Sequence, residues 1–222
     1  MMNEINQKTI VRNLRILYPI WVLVGIFSIM YVPSTLIELD NPLKTAQNIT
    51  ENSFLFRLGI AGRLITQLLF IIIPFLLYEL FRNLDRAIAT LMLILALISV
   101  PITMLNETIH LEILSHLDKP DSVIEMLELY YQRMDISVIF WGLWLLPLGW
   151  LAYKFKLFPK VIGVVLLIAG FGYFIDSFIK IVFPDFTQLN SILEIMTIGE
   201  LIFIIWLVIV GVKREANVQE RL

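Results

Sequence analysis

Six apolar runs, each long enough to cross a bilayer as a helix, account for most of this chain and leave room for little else. They cover residues 16–37, 54–81, 87–105, 136–153, 161–183 and 192–212. A spanning helix needs about 20 mainly apolar residues. In hydrocarbon each backbone N–H and C=O must be satisfied within the segment, so each run is expected to be α-helical. The expected fold is therefore all-α: a polytopic transmembrane helical bundle of about six spans, forming a single transmembrane domain over residues 1–222. Composition supports the choice of lipid over a soluble core. The chain is 59% hydrophobic and 16% charged, against about 45–50% and about 25% in soluble domains. Lys8, Arg12 and Arg15 precede the first run as they would in a signal peptide. That run is too long for a signal core and no small-residue cleavage site follows, so it is read as an uncleaved first span.

Basic residues set the expected orientation, because Lys and Arg are enriched in cytoplasmic loops. Lys8, Arg12, Arg15, Arg82, Arg86, Lys154, Lys156, Lys160, Lys213, Arg214 and Arg221 fall on one side, and only Lys44, Lys119 and Arg133 on the other. Both termini are thus expected in the cytoplasm and the chain in the cell membrane. Trp21, Tyr31, Trp141, Trp144, Trp150, Tyr153 and Tyr173 lie mostly within a few turns of span ends, as interfacial belts do. Pro33, Pro74, Pro101 and Pro147 fall in or near spans and are expected to kink rather than break them.

The two longer outer connections are expected to carry structure. Asp40-Asn41-Pro42 reads as a turn. Between the third and fourth spans, Pro120 ends a segment and Ser122-x-x-Glu125 resembles a capping box. Val123, Met126, Leu127 and Tyr130 follow at helical spacing, which predicts a short amphipathic helix on the outer face. This region is acidic: Glu107, Glu112, Asp118, Asp121, Glu125, Glu128 and Asp135 face only Lys119 and Arg133. Such an outer vestibule would attract cations, although exported loops are poor in Lys and Arg in any case.

Ionisable side chains inside spans are costly, so each is a candidate for a functional role. Arg63 lies about 15 Å into the second span at a rise of about 1.5 Å per residue, and shares a helix face with Gln67. Glu200 lies at similar depth, so an Arg63–Glu200 pair would neutralise both charges; Asp176 and the acidic head group of a ligand are the other candidate partners of Arg63. Asp176 and Lys180 are four apart and suit a local bridge. By depth alone, Asp176, Glu107, Asn106 and Glu194 could also meet in a cavity. Gly142 with Gly149, and Gly163 with Gly170, form two pairs spaced by seven, suited to close helix approach.

Several chemistries are disfavoured. No cysteine is present, which excludes disulfides and thiolate sites. A net charge of −2 gives no basic character for nucleic acid. His110 and His116 are six apart, matching no zinc-binding helix face, and are read as surface residues. No catalytic group, metal or cofactor is therefore expected.

Phe56-Arg57-Leu58-Gly59-Ile60-Ala61, Asn106-Glu107, Phe158-Pro159-Lys160-Val161-Ile162-Gly163, the run Gly170–Asp176 and Gly199-Glu200 occur in order along the chain. Together they resemble the prokaryotic membrane-protein family called domain of unknown function 4386. The resemblance implies a multi-spanning cell-membrane protein and supplies no activity. Arg57, Asn106, Glu107, Asp176 and Glu200 resemble the family's recurring polar positions.

The expected function is non-enzymatic binding of a small molecule, lipid or partner in an outward-facing polar pocket. Its polar cluster would be drawn from Arg57, Arg63, Asn106, Glu107, Asp176 and Glu200. A small transporter or ion-conducting protein is the alternative, against which the inner half offers few polar groups beyond Glu79. An intramembrane hydrolase or transferase with a carboxylate base is a further alternative. The bilayer is the expected partner. Oligomeric state is not read from the sequence.

Overall fold

A computed structural model of the chain describes residues 4–183, 186 and 188–212. The described residues are almost entirely helical and contain no strand. Six helices are long and apolar enough to cross a membrane. The basic residues Lys213, Arg214 and Arg221 lie outside the described residues.

The first span begins as α1 (Glu4–Gly25), widens into a π-helical segment (Ile26–Tyr31) and closes as α2 (Val32–Leu36). Pro33 lacks the N–H that would bond the Ile29 carbonyl, so a regular ladder is interrupted there. The chain responds by lengthening its register: Val32 N–H donates to the Phe27 carbonyl, five residues back. Ser34 and Thr35 hydroxyls donate to the Tyr31 carbonyl at 2.9 and 2.7 Å. The Asp40-Asn41-Pro42 turn follows. Asn41 Oδ1 then accepts from Lys44 N–H and Pro42 occupies the first helical turn, starting α3 (Pro42–Glu51).

Next come α4 (Ser53–Phe81), α5 (Arg86–Asn106), the short α6 (Thr108–Ile113) and α7 (Pro120–Lys154). The predicted amphipathic outer helix is not a separate element. Residues 120–133 are the first turns of α7, which at about 1.5 Å per residue is far longer than the roughly 30 Å of hydrocarbon. No capping box forms at Ser122, because the helix is already under way at Pro120, with Lys119 at its N-cap. Nothing between Arg133 and Ile136 breaks a helix. The amphipathic face is held inside rather than on a membrane surface: Val123, Leu127 and Tyr130 bury against Ile49, Phe56, Ile109 and Ile113 in a small capping core.

The bundle is completed by α8 (Lys160–Val182) and α9 (Asn190–Ile209). A larger core runs through the rest of the molecule, from Leu14 and Tyr18 through Phe81, Trp144 and Phe158 to Phe203. Helices α7 and α8 make the most extensive packing, and the glycines explain their approach. A Cβ on Gly142 would lie 2.6 Å from the Gly170 carbonyl oxygen, and one on Gly149 2.9 Å from that of Gly163. The two seven-residue pairs thus face each other across an antiparallel contact.

At the end where α1 begins and α9 closes, Arg15 Nε and Nη2 donate to the Val208 and Ile209 carbonyls at 2.7 and 2.9 Å. These are last-turn carbonyls of α9 that have no partner within their own helix. Asp85 caps α5 by accepting from Ile88 N–H and pairs with Lys154 at 3.2 Å. The Ile88 backbone bond, then Lys154, holds its carboxyl below the usual range. That lowered value makes the α5 cap a contribution present at neutral pH and lost as pH falls through the carboxylate range.

Candidate functional site

Two polar sites emerge, and they do not share residues. The first is a buried cluster in the half of the bundle far from the termini. Glu107 occupies the joint between α5 and α6, where the short break aims its carboxylate inward between α4 and α7. Tyr130 OH on α7 donates to its Oε1 at 2.8 Å. His110 on α6 lies 2.9 Å from its Oε2. A carboxylate only accepts, so His110 Nδ1 carries the proton in that bond. Arg63 Nη1 on α4 reaches to 3.9 Å of the same Oε2, an ion pair too long for a hydrogen bond. Asn106 Nδ2 ties the joint to the Tyr130 carbonyl at 3.0 Å. His110 and Tyr130 pack with ring centroids 4.1 Å apart and planes tilted by 58°, and Phe56 covers the imidazole edge-on at 5.7 Å.

This arrangement corrects three expectations. Arg63 pairs with Glu107, and with neither Glu200 nor Asp176. Equal depth in the bilayer is shared by every helix in the bundle, so it did not select the partner. His110 is 1% exposed rather than a surface residue. Its spacing of three from Glu107, one helical turn, was the available signal. Asp176, Glu107, Asn106 and Glu194 do not converge. Asp176 is bridged to Lys180 at 2.7 Å, as its spacing suggested, and Glu194 is exposed. Arg57 is also exposed and makes no ion pair among the described residues.

The second site is a cavity of about 400 Å³ enclosed by the first span, α4, α7, α8 and α9. Its walls are apolar and aromatic, with Trp21, Phe70, Trp141, Trp144 and Tyr173 among them, and its polar groups are Thr66, Gln67, Thr197 and Glu200. The π-helical segment lines one side through Ile26, Ile29 and Met30. Such widened turns recur at functional sites. Trp21 Nε1 donates to the Thr66 carbonyl at 3.2 Å, and its ring stacks on Phe70 at 5.9 Å. Phe70 in turn meets Trp144 edge-on at 5.3 Å. Glu200 accepts one long hydrogen bond, from Tyr173 OH at 3.4 Å, and has no cationic partner among the described residues. Gln67 Oε1 is buried with no hydrogen-bond partner. Towards the termini the cavity ends above packed rings: Tyr18 on Phe203 at 6.1 Å, Phe203 on Phe158 at 5.4 Å and Phe158 on Phe81 at 6.3 Å.

Gln67 is visible in the sequence only as a neighbour of Arg63, and Trp21 and Trp141 read as interfacial belts, whereas Trp144 equally suits packing between helices, where it is found. No sequence feature distinguishes a tryptophan facing a headgroup from one facing an internal cavity.

Six helices long and apolar enough to cross a membrane, with large apolar side chains exposed along them, are consistent with a multi-pass helical membrane protein. Residues 16–211 match DUF4386, a domain of unknown function, and the chain belongs to that family. It is also similar to an uncharacterized protein of Archaeoglobus fulgidus, 36% identical over 90 residues, or 40% of this chain and 53% of the relative. The chain thus spans about half the length of that relative. No solved structure matches.

Proposed function

We propose that this is a cell-membrane protein, both termini cytoplasmic, which binds a small amphiphilic molecule or lipid in the Glu200 cavity. The observation that carries the reading is Glu200 itself. A carboxyl group is held among aromatic and aliphatic walls with one weak hydrogen bond and no basic neighbour among the described residues. Two other acids of the bundle have such a partner: Glu107 has Arg63 and Asp176 has Lys180. Burying a polar group without a partner is unfavourable, so the site is better matched to a ligand than to the empty protein. A concave, mainly apolar pocket with a few convergent polar groups is the usual form of a small-molecule site, and about 400 Å³ lies within its range.

The orientation rests on the basic residues that flank the terminal end of the bundle. With that orientation the cavity faces the outer half of the membrane. The packed rings beneath it support a binding pocket over a conducting path. The Glu107–His110–Tyr130 cluster lines no part of the cavity, and so lends no acid–base pair to a reaction there.

Native mass spectrometry of protein extracted gently from its own membrane tests the proposal. The wild type is expected to carry a stoichiometric adduct, and Thr197→Trp, which fills the cavity, is expected to lose it. An adduct retained by a folded Thr197→Trp protein, or no adduct in either, counts against the reading.

A further inference from the structure

The chemistry of the ligand can be narrowed, on the understanding that the narrowing rests on the cavity reading above. Two residues that line the cavity carry groups short of a partner, and both groups are acceptors. Gln67 Oε1 is buried and receives no hydrogen bond. On Glu200 only Oε2 receives one, across 3.4 Å. A ligand that complements them brings N–H or O–H donors, and one that also offsets the carboxylate charge brings an ammonium. Aromatic faces favour the same charge, and Trp21, Trp141, Trp144 and Tyr173 line the same cavity.

The route of entry follows from the rim. Helices α1 and α9 are tied together near the termini by Arg15 and by the Tyr18–Phe203 contact. Beyond those ties the cavity is flanked by Ile26, Ile29 and Met30 on one side and Ile198 and Leu201 on the other, each 48–65% exposed. A rim of this kind faces hydrocarbon, so the mouth opens sideways into lipid rather than upward into water. What enters must already be dissolved in the membrane.

We infer that the cavity takes a long-chain amine from the outer leaflet, with its ammonium on Glu200 and Gln67 and its chain leaving between the first span and α9. The ammonium donates to the free carboxylate oxygen and to Gln67 Oε1, and charge assistance makes the first bond the stronger. The alkyl chain lies across Met30 and Ile198 and continues into lipid. A fatty acid meets Glu200 with like charge and is rejected. A fatty alcohol retains a donor and the chain and forgoes the charge.

The test uses 6-bromododecylamine, 6-bromododecan-1-ol and 6-bromododecanoic acid, whose bromine stays near the polar end, added to the full chain in phosphatidylcholine nanodiscs. Bromine quenching of tryptophan fluorescence reports occupancy. The amine is expected to bind at least about tenfold more tightly than the alcohol, a difference of about 1.4 kcal/mol, and the acid to bind most weakly. Glu200→Gln is expected to bring the amine and alcohol to equal affinity. Tyr173→Phe, which removes only the hydroxyl that occupies Oε2, is expected to keep the amine preference. Equal binding of amine and alcohol by the wild type, or a preference that survives Glu200→Gln, overturns the amine assignment while leaving a cavity that binds amphiphiles. Quenching by none of the three beyond that of lipid-facing residues overturns the cavity reading as well. The wild-type comparison alone decides the matter if Glu200→Gln does not fold.

Discussion

Glu107→Ala is expected to destabilise the folded bundle by about 3–5 kcal/mol, the range for removing one partner of a buried ion pair. The substitution takes the acceptor from Tyr130 OH and His110 Nδ1 and the counter-charge from Arg63 at one stroke. None of the three can turn to water, since Arg63 is 4% exposed, His110 1% and Tyr130 7%. The damage falls on the joint that holds α6 and the first turns of α7 against α4. It is read as a lowered unfolding midpoint in detergent and as loss of the monodisperse peak in size-exclusion chromatography. Arg63→Met combined with Glu107→Leu is expected to recover part of the loss, because removing both charges leaves neither one unpaired. A double-mutant cycle then gives the coupling directly. Wild-type stability in Glu107→Ala would show that the cluster holds nothing together.

Gly170→Val is expected to disrupt the bundle as severely, by a different cause. The new Cβ would lie 2.9 Å from the Gly142 carbonyl oxygen and 2.7 Å from Leu146 Cδ2. The leucine end can rotate away and the backbone oxygen cannot, so α7 and α8 must part along their length. Over-packing costs about 1–3 kcal/mol where side chains can give way, and more is expected where backbone is met. Gly25→Ala is the control. Its Cβ would meet only Thr66 Cγ2 at 4.0 Å, and alanine suits a helix better than glycine. Its unfolding midpoint is expected to match the wild type, while that of Gly170→Val falls sharply or no folded protein is recovered. Equal midpoints for the two variants would contradict the close-contact explanation.

The parts of this architecture that depend on the solvent were legible in the sequence. The six apolar runs correspond to six helices long and apolar enough to cross a membrane, because a lipid environment forces helix wherever the chain is apolar for long enough; the helices outrun the apolar stretches, α1 starting at Glu4 and α7 at Pro120. The glycine pairs were legible for the same reason: a spacing of seven puts small residues on one face. What depends on which faces meet was not. The partner of Arg63 was set by a one-residue joint at Glu107, and no periodicity announces it. The start of α7 was misplaced because Ser122 and Glu125 look like a cap, whereas Pro120 had already begun the helix. The cavity was half visible. Glu200 stood out through the cost of burying it, but its aromatic walls look like an interfacial belt. The π-helical turn that shapes one wall follows from Pro33, whose kink was expected but whose register shift was not.

The most direct test of the account is photo-crosslinking in nanodiscs with a neutral long-chain alcohol bearing a diazirine near its hydroxyl, followed by peptide mapping. The neutral probe separates the cavity itself from the charge preference proposed for it. Labels are expected on the π-helical segment and on α9, at Ile26, Met30, Ile198 and Leu201, and to be lost in Thr197→Trp. Labels spread evenly over lipid-facing residues such as Leu91 and Phe171, and unchanged by filling the cavity, would contradict it.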